Sequence, residues 1–252
     1  MKGSRALRVA LGAIALLLVL PTLALLTAPA GLASRLAAAS APGVRLFAPS
    51  GRLLDGSADL VLEGRAVGRL TWSVQAGALL TGRLQADLAI DDPGHSASAE
   101  LTIRPSGAFH LAVLAAEIHE QTLDALLRPY AIEPSGSIEV AEGAVSGRLR
   151  ERRVTEADAD ARWSGGLVRY QLGGAAWTAS FPPLLARLRV RDGAPVLVVE
   201  DTAGAELLDV ALRPDGWADL RVRYRFVALA GYPWPDPPAP DVIVVEISEQ
   251  LL

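Results

Sequence analysis

The chain has 252 residues, a formal net charge of −4 and a sequence pI near 5.5. That balance argues against nucleic acid as the main partner, because phosphate binding calls for a basic surface. The absence of cysteine excludes disulfide frameworks, thiol nucleophiles and cysteine metal sites, while the length allows a sizeable core in one or two domains.

Residues 1–8 carry Lys2, Arg5 and Arg8, and an uncharged run follows over 9–34 with the core ALGAIALLLVLPTLALLTA. A helix needs about 20 apolar residues to span the ~30 Å hydrocarbon core, so 9–34 is predicted to be a transmembrane anchor, kinked at Pro21. The positive flank assigns residues 1–8 to the cytoplasm and sends the chain beyond Arg35 across the membrane. A cleaved signal peptide ending at Ala28-Pro29-Ala30 is the competing account. The run exceeds the roughly 7–15 residues of a signal core, which favours the anchor. Residues 35–43 read as a small-residue connector and 44–252 as one β domain outside the cytoplasm.

Over 48–90 three segments alternate apolar and polar residues. Leu60 and Leu62 stand against Asp59 and Glu63. Leu70, Trp72 and Val74 stand against Thr71, Ser73 and Gln75, and Leu84, Ala86, Leu88 and Ile90 against Arg83, Gln85 and Asp87. A period of two places one set on one face of a pleated sheet and the other in water. The same alternation returns at 96–104, 109–113, 138–140, 154–163, 167–172, 207–212 and 220–226. Pro49-Ser50-Gly51, Pro105-Ser106-Gly107, Pro134-Ser135-Gly136 and Pro214-Asp215-Gly216 read as turns. Asp192-Gly193, between Leu188–Arg191 and Val196–Val199, predicts a tight hairpin.

Helical spacing is scarce. Leu123, Leu126 and Leu127 predict one short amphipathic helix over 117–130, and Pro182-Pro183-Leu184-Leu185 a further helical turn. The Pro-rich segment 231–241 reads as extended, and 242–247 as a last strand returning to the sheet. The expected fold is mainly β: a transmembrane helix, then one long antiparallel, strongly curved meander, sandwich-like or a half-open barrel, with one or two short helices.

Residues suited to chemistry are few. His119-Glu120 begins like a zinc-protease motif, but Leu123 stands where the second histidine belongs. His95, His110 and His119 read as solvated, and Asp91-Asp92-Pro93-Gly94 as an acidic turn without calcium-loop spacing. No serine elbow or phosphate loop is present. No catalytic residue, cofactor or metal is expected, and the protein reads as a non-enzyme. Trp72 and Trp163 read as packed. Trp234, flanked by Pro233 and Pro235, and Tyr232 are the candidate partner-binding residues.

Several short pieces, taken in order, resemble the type II secretion system protein N family. They are Ser50-Gly51-Arg52-Leu53-Leu54-Asp55-Gly56, the strand carrying Trp72 followed by Ala78-Leu79-Leu80-Thr81-Gly82-Arg83-Leu84, the Leu-rich helix, Pro134-Ser135-Gly136, and Ala161-Arg162-Trp163-Ser164-Gly165-Gly166. The chain departs from the family at Leu54, where tryptophan is usual. The resemblance implies a single-pass inner-membrane protein with a periplasmic β domain, acting without catalysis as an accessory of the secretion machine. Its implied partners are other secretion-system proteins or secreted proteins. A pure scaffold for the secretion platform is a variant of that reading.

A different class of function stays open: an anchored, periplasmic lipid-handling groove. The small residues Ala86, Ala97, Ala99, Ala157, Ala159 and Ala161 on the apolar face would leave room for acyl chains. A narrow, filled interior formed by the sheet curling over itself is the preferred account of that face.

Overall fold

Strand alternation runs from near the start of the chain to its end, and the strands it produces stand side by side almost in chain order. The computed structural model describes residues 27–250 except 41, 42, 63 and 152. The expected tail 1–8 and all of the anchor up to residue 26 lie outside the described residues. Among the described residues no helix is long and apolar enough to cross a membrane.

Helix α1 (Gly31–Ser40) leads into a 13-stranded antiparallel sheet. Its first half comprises β1 (Val44–Gly51), β2 (Asp55–Leu62), β3 (Arg65–Val74), β4 (Leu84–Asp92), β5 (His95–Ile103) and β6 (Ala108–Ile118), with the short helix α2 (Ala76–Leu79) joining β3 to β4. After β6 come helix α3 (Glu120–Leu127), a 3-10 turn (Arg128–Tyr130) and β7 (Ile132–Pro134). The main sheet resumes with β8 (Ile138–Arg148) and β9 (Arg153–Trp163). It then skips the hairpin β10 (Gly166–Leu172) and β11 (Ala175–Phe181), which joins β7 in a separate three-stranded sheet. The strands β12 (Leu184–Arg191), β13 (Ala194–Glu200), β14 (Glu206–Leu212) and β15 (Trp217–Arg223) follow. Helix α4 (Tyr224–Leu229) and the Pro-rich segment then lead to the last strand, β16 (Ile243–Gln250).

One cross-strand row runs the whole width of the main sheet. It begins at Gly51, Gly56, Trp72, Leu88, Ala99, Val113 and Gly143, and continues through Ala159, Leu188, Leu197, Val210, Leu220 and Ile247. Every member is apolar or glycine, so one face of the sheet is greasy from edge to edge.

Two patches of that face are covered. Near β1, Ala30, just ahead of α1, and Ala33 within it lie over Ala58, Leu70 and Trp72. Toward the C-terminus the small sheet and α4 bury Ala179, Phe181, Leu184 and Leu207, with Phe226 and Leu229 packed against them. Leu207 is fully buried, and sinking one leucine side chain stabilises the fold by about 2 kcal/mol. Between the patches the only buried apolar residues of β4, β5, β6, β8 and β9 are Ala86 and Ala157. Ala99, Val113 and Ala159 there remain half-exposed, while Leu88 packs against the first patch. The expected filled interior is therefore not formed. The sheet stays open, with β1 and β16 as its two edges, and the middle strands floor a trough between the two covers.

Other expectations meet corrections. Strand β6 runs through Ile118 on β8, so the helix expected over 117–130 starts at Glu120, and its buried residue is Leu123. Pro182-Pro183-Leu184-Leu185 forms no helical turn. Leu184 opens β12 by pairing with Trp163, which closes the excursion of β10 and β11. The strand expected to reach Phe226 ends at Arg223, and α4 follows because Phe226 packs its ring 5.6 Å from that of Phe181. Pro49-Ser50-Gly51 is not a turn but the bulged end of β1. The Asp192-Gly193 hairpin is as expected: both residues have positive φ, 52° and 77°, the signature of a primed two-residue turn.

Candidate docking site

The last strand is held in place by the Pro-rich segment that carries both candidate aromatics. Tyr232 sets its ring edge-on to Trp177 with centroids 5.5 Å apart, and Trp234 does the same to Tyr224 at 6.3 Å. Both are half-buried. The Tyr170 hydroxyl donates to the Ala230 carbonyl at 2.8 Å, and burial, with Tyr232 adding, raises its pKa above the ordinary value. Arg225 reaches Asp241 at 2.9 Å, while the backbone N–H groups of Tyr224 and Arg225 donate to the carbonyls of Val242 and Pro240. Tyr232 and Trp234 thus anchor the segment to the small sheet and α4, and deliver β16 to its place beside β15.

The two edges of the main sheet differ. Strand β1 is bulged between Phe47 and Ser50, carries Pro49 and an Ala48 of φ 44°, and has α1 packed beside it. Bulges and prolines are devices that blunt an edge. Strand β16 pairs with β15 from Ile243 to Gln250 and has, among the described residues, no strand on its other side. Its Ile243 is 43 % exposed and Ile247 51 %. It carries no proline, and its polar positions include Glu246 and Glu249. Such an edge presents backbone donors and acceptors together with an apolar side chain.

On the opposite face of β12–β15 lies a charge network that single-strand patterning does not reveal. Asp209, 2 % exposed, accepts from Arg221 at 2.6 and 2.8 Å and from Arg223 at 3.0 Å. Arg223 also binds Glu206, and Arg187 pairs with Glu200 at 3.1 Å. Asp209, Arg221 and Arg223 meet because β14 and β15 pair in this register, and Arg187 meets Glu200 through the pairing of β12 with β13.

The histidines lie apart. His110 shares a hydrogen bond with Ser146 at 3.0 Å, and His119 stands 3.2 Å from Glu117. His95 is not in a solvated loop as expected. It opens β5, its side chain is 18 % exposed, and its Nε2 meets the Val67 carbonyl. Beside it the Thr122 hydroxyl donates to the Gly94 carbonyl at 3.0 Å, and the Gly94 N–H to Asp92 at 3.1 Å. This clip fastens α3 to the β4–β5 turn, which is Pro93-Gly94 alone: Asp91 and Asp92, expected within an acidic turn, are the last residues of β4 and pair with Ser96 and His95. Among the described residues, no three histidine or carboxylate groups are gathered to hold a metal ion.

Residues 42–233 match the family model described as Type II secretion system (T2SS), protein N. The matched stretch covers β1 through α4 and includes Tyr232; Trp234 and β16 follow it. No curated protein and no solved structure matches the chain.

Proposed function

Since the chain belongs to the type II secretion system protein N family, we propose that it serves as a non-catalytic inner-membrane component of the secretion machine. In this reading the part of the apolar run ahead of Thr27 anchors it, because Ala30 and Ala33 pack on the sheet; residues 1–8 stay in the cytoplasm, and the β domain stands in the periplasm. It docks by accepting a strand from another component, or from a secreted protein, along β16. The open β16 edge is the observation that carries the proposal. Glu246 and Glu249 oppose pairing between two copies of β16, since like charges facing each other across strands destabilise, and they favour a partner strand with basic residues. Tyr232 and Trp234 contribute by fixing the position of that edge.

A photo-reactive residue in place of Ile247 tests the docking. The expected result is a crosslink to another secretion-system protein or to cargo, together with loss of export in a Glu246→Lys/Glu249→Lys variant that retains its thermal stability. Normal export by that variant, with no crosslink from position 247, would overturn the docking role.

The half-exposed floor of the trough favours a second reading, in which Ala99, Val113 and Ala159 hold an acyl chain. Mass spectrometry of the purified full chain, washed free of bulk lipid, decides it. Recovery of lipid near one per chain, lost on Ala99→Trp, supports the groove; absence of lipid removes it.

A further inference from the structure

One end of the main sheet is basic and greasy at once. Arg83 directly precedes β4, Arg104 directly follows β5, and Arg148 stands opposite Arg153 on paired strands. Ala108 faces Arg148, and the Ala108 carbonyl accepts the Arg104 N–H at 2.8 Å, which brings Arg104 into the same row. All four arginines are exposed. Arg148 pairs with Glu151 at 3.3 Å, while among the described residues no hydrogen bond or ion pair holds the side chains of Arg83, Arg104 or Arg153. Like charges directly across a sheet destabilise it, and this row stands in a chain whose net charge is −4. An anion bound along the row would relieve the repulsion.

The turns beside the row touch one another. The Leu149 N–H donates to the Gly107 carbonyl at 2.9 Å, and a methyl group added at Gly82 would lie 3.3 Å from Pro105. Leu80 and Leu149 flank this tip and are 83 % and 50 % exposed. The chain also arrives at this end. The Ala28 carbonyl accepts the Leu53 N–H at 2.7 Å, and the Leu54 carbonyl accepts that of Val74, the last residue of β3, at 2.6 Å. Residue 27, directly behind the uncharged apolar stretch 9–26, therefore lies at the same end as the arginine row.

We propose that this end is a membrane-docking tip: the arginines bind the phosphates of anionic phospholipid headgroups, and Leu80 and Leu149 enter the apolar boundary beneath them. Exposed leucines in neighbouring turns are what distinguish a bilayer from an acidic protein as the occupant, because basic residues beside apolar ones suit the headgroup boundary. The inference rests on the anchored reading above insofar as the anchor brings this end to the bilayer. Each basic residue at an anionic surface strengthens binding on the order of fivefold.

The chain has no cysteine, so Leu80→Cys and Leu149→Cys each give a single site for a nitroxide label on the full chain. Leu126→Cys, on α3 at the far end of the sheet, is the control. The labelled chains are reconstituted in vesicles of phosphatidylglycerol with phosphatidylethanolamine, and in vesicles of phosphatidylcholine alone. In the anionic vesicles the labels at 80 and 149 should favour oxygen over a water-soluble nickel complex, while the label at 126 favours the nickel complex. Phosphatidylcholine, or Arg83→Glu with Arg104→Glu, should reduce the docked fraction at least fivefold. Labels at 80 and 149 that match 126 in anionic vesicles overturn the tip. So does immobilisation of those labels only on addition of purified secretion-system proteins, which would assign the row to an acidic protein surface. Flotation in about 1 M salt, where screening cuts the Debye length to about 3 Å, reports the anchor separately. A chain that leaves the vesicles there contradicts the anchor, whereas one that stays with water-exposed labels contradicts the tip alone.

Discussion

Asp209 and Arg221 face each other across β14 and β15, and two guanidinium nitrogens of Arg221 donate to the same carboxylate oxygen of Asp209. Arg223 takes the other oxygen, so a carboxylate that is 2 % exposed is held between two cations. Asp209→Asn keeps the shape and removes the charge. It should lower unfolding free energy by about 3 kcal/mol, the low end for breaking a buried pair, because Arg221 is partly open to water. Denaturant unfolding checks this; a loss below about 1 kcal/mol would show that the network is incidental.

Gly56 pairs with Trp72, and a Cβ there would come within 2.8 Å of the Trp72 ring and of backbone oxygens at Arg52 and Ser50. The Trp72 indole N–H donates to the Leu53 carbonyl at 2.9 Å, so the ring has no room to give. Gly56→Ala should destabilise by about 1–3 kcal/mol as overpacking does. Gly31→Ala, where nothing lies within 4 Å, should be neutral or stabilising by less than about 1 kcal/mol. Equal effects at the two sites, measured by thermal melting, would refute this account.

Tyr170 gives the fold an alkaline sensitivity. Its pKa is raised in the folded chain by burial and then by Tyr232, while an unfolded tyrosine titrates near 10. The folded state therefore holds its proton longer. This stabilisation is complete below about pH 10 and is lost as pH rises through the folded value. Tyr170→Phe should flatten the decline of melting temperature above about pH 10, while losing the hydrogen bond to Ala230 at neutral pH. An unchanged alkaline slope would contradict the assignment.

Thr122 clips α3 to the Gly94 carbonyl. Thr122→Val removes that bond at nearly constant volume and should cost about 1 kcal/mol. Faster amide exchange should be confined to Glu120–Leu127, with β4 and β5 unchanged. Uniform acceleration across the domain would mean that the helix is an integral part of the main cooperative unit.

The main sheet was legible because most of its strands carry a period-two pattern and sit beside their neighbours in the chain. Tight turns such as Asp192-Gly193 added registers. The small sheet was not legible as a separate layer, although Trp177, Ala179 and Phe181 alternate with Thr178 and Ser180 in β11. Its separation depends on Trp163 pairing directly with Leu184, a contact no local window contains. Val222, Tyr224 and Phe226 also alternate, yet the chain turns helical at Tyr224 because Phe226 and Leu229 gain more by packing on the Phe181 cluster. The clip at His95 depends on Val67, and the arginine row on the pairing of Arg148 with Arg153. Tyr232 and Trp234 were visible as aromatics, but their edge-on partners Trp177 and Tyr224 were not. Distant pairing, more than propensity, separates what could be read from what could not.

The unbroken row from Gly51 to Ile247 also bears on how the domain comes into being. Nearly every strand in the main sheet pairs with the one made just before it, so a chain delivered N-terminus first can extend its sheet one strand at a time. Short-range pairing of this kind keeps loop-closure entropy small. Two seams are exceptions: β8 reaches β6 only after α3 and β7, and β12 reaches β9 only after the longer β10–β11 excursion is complete. A pause during delivery before Leu184 would leave β9 with an unsatisfied edge, and this is where misassembly would begin.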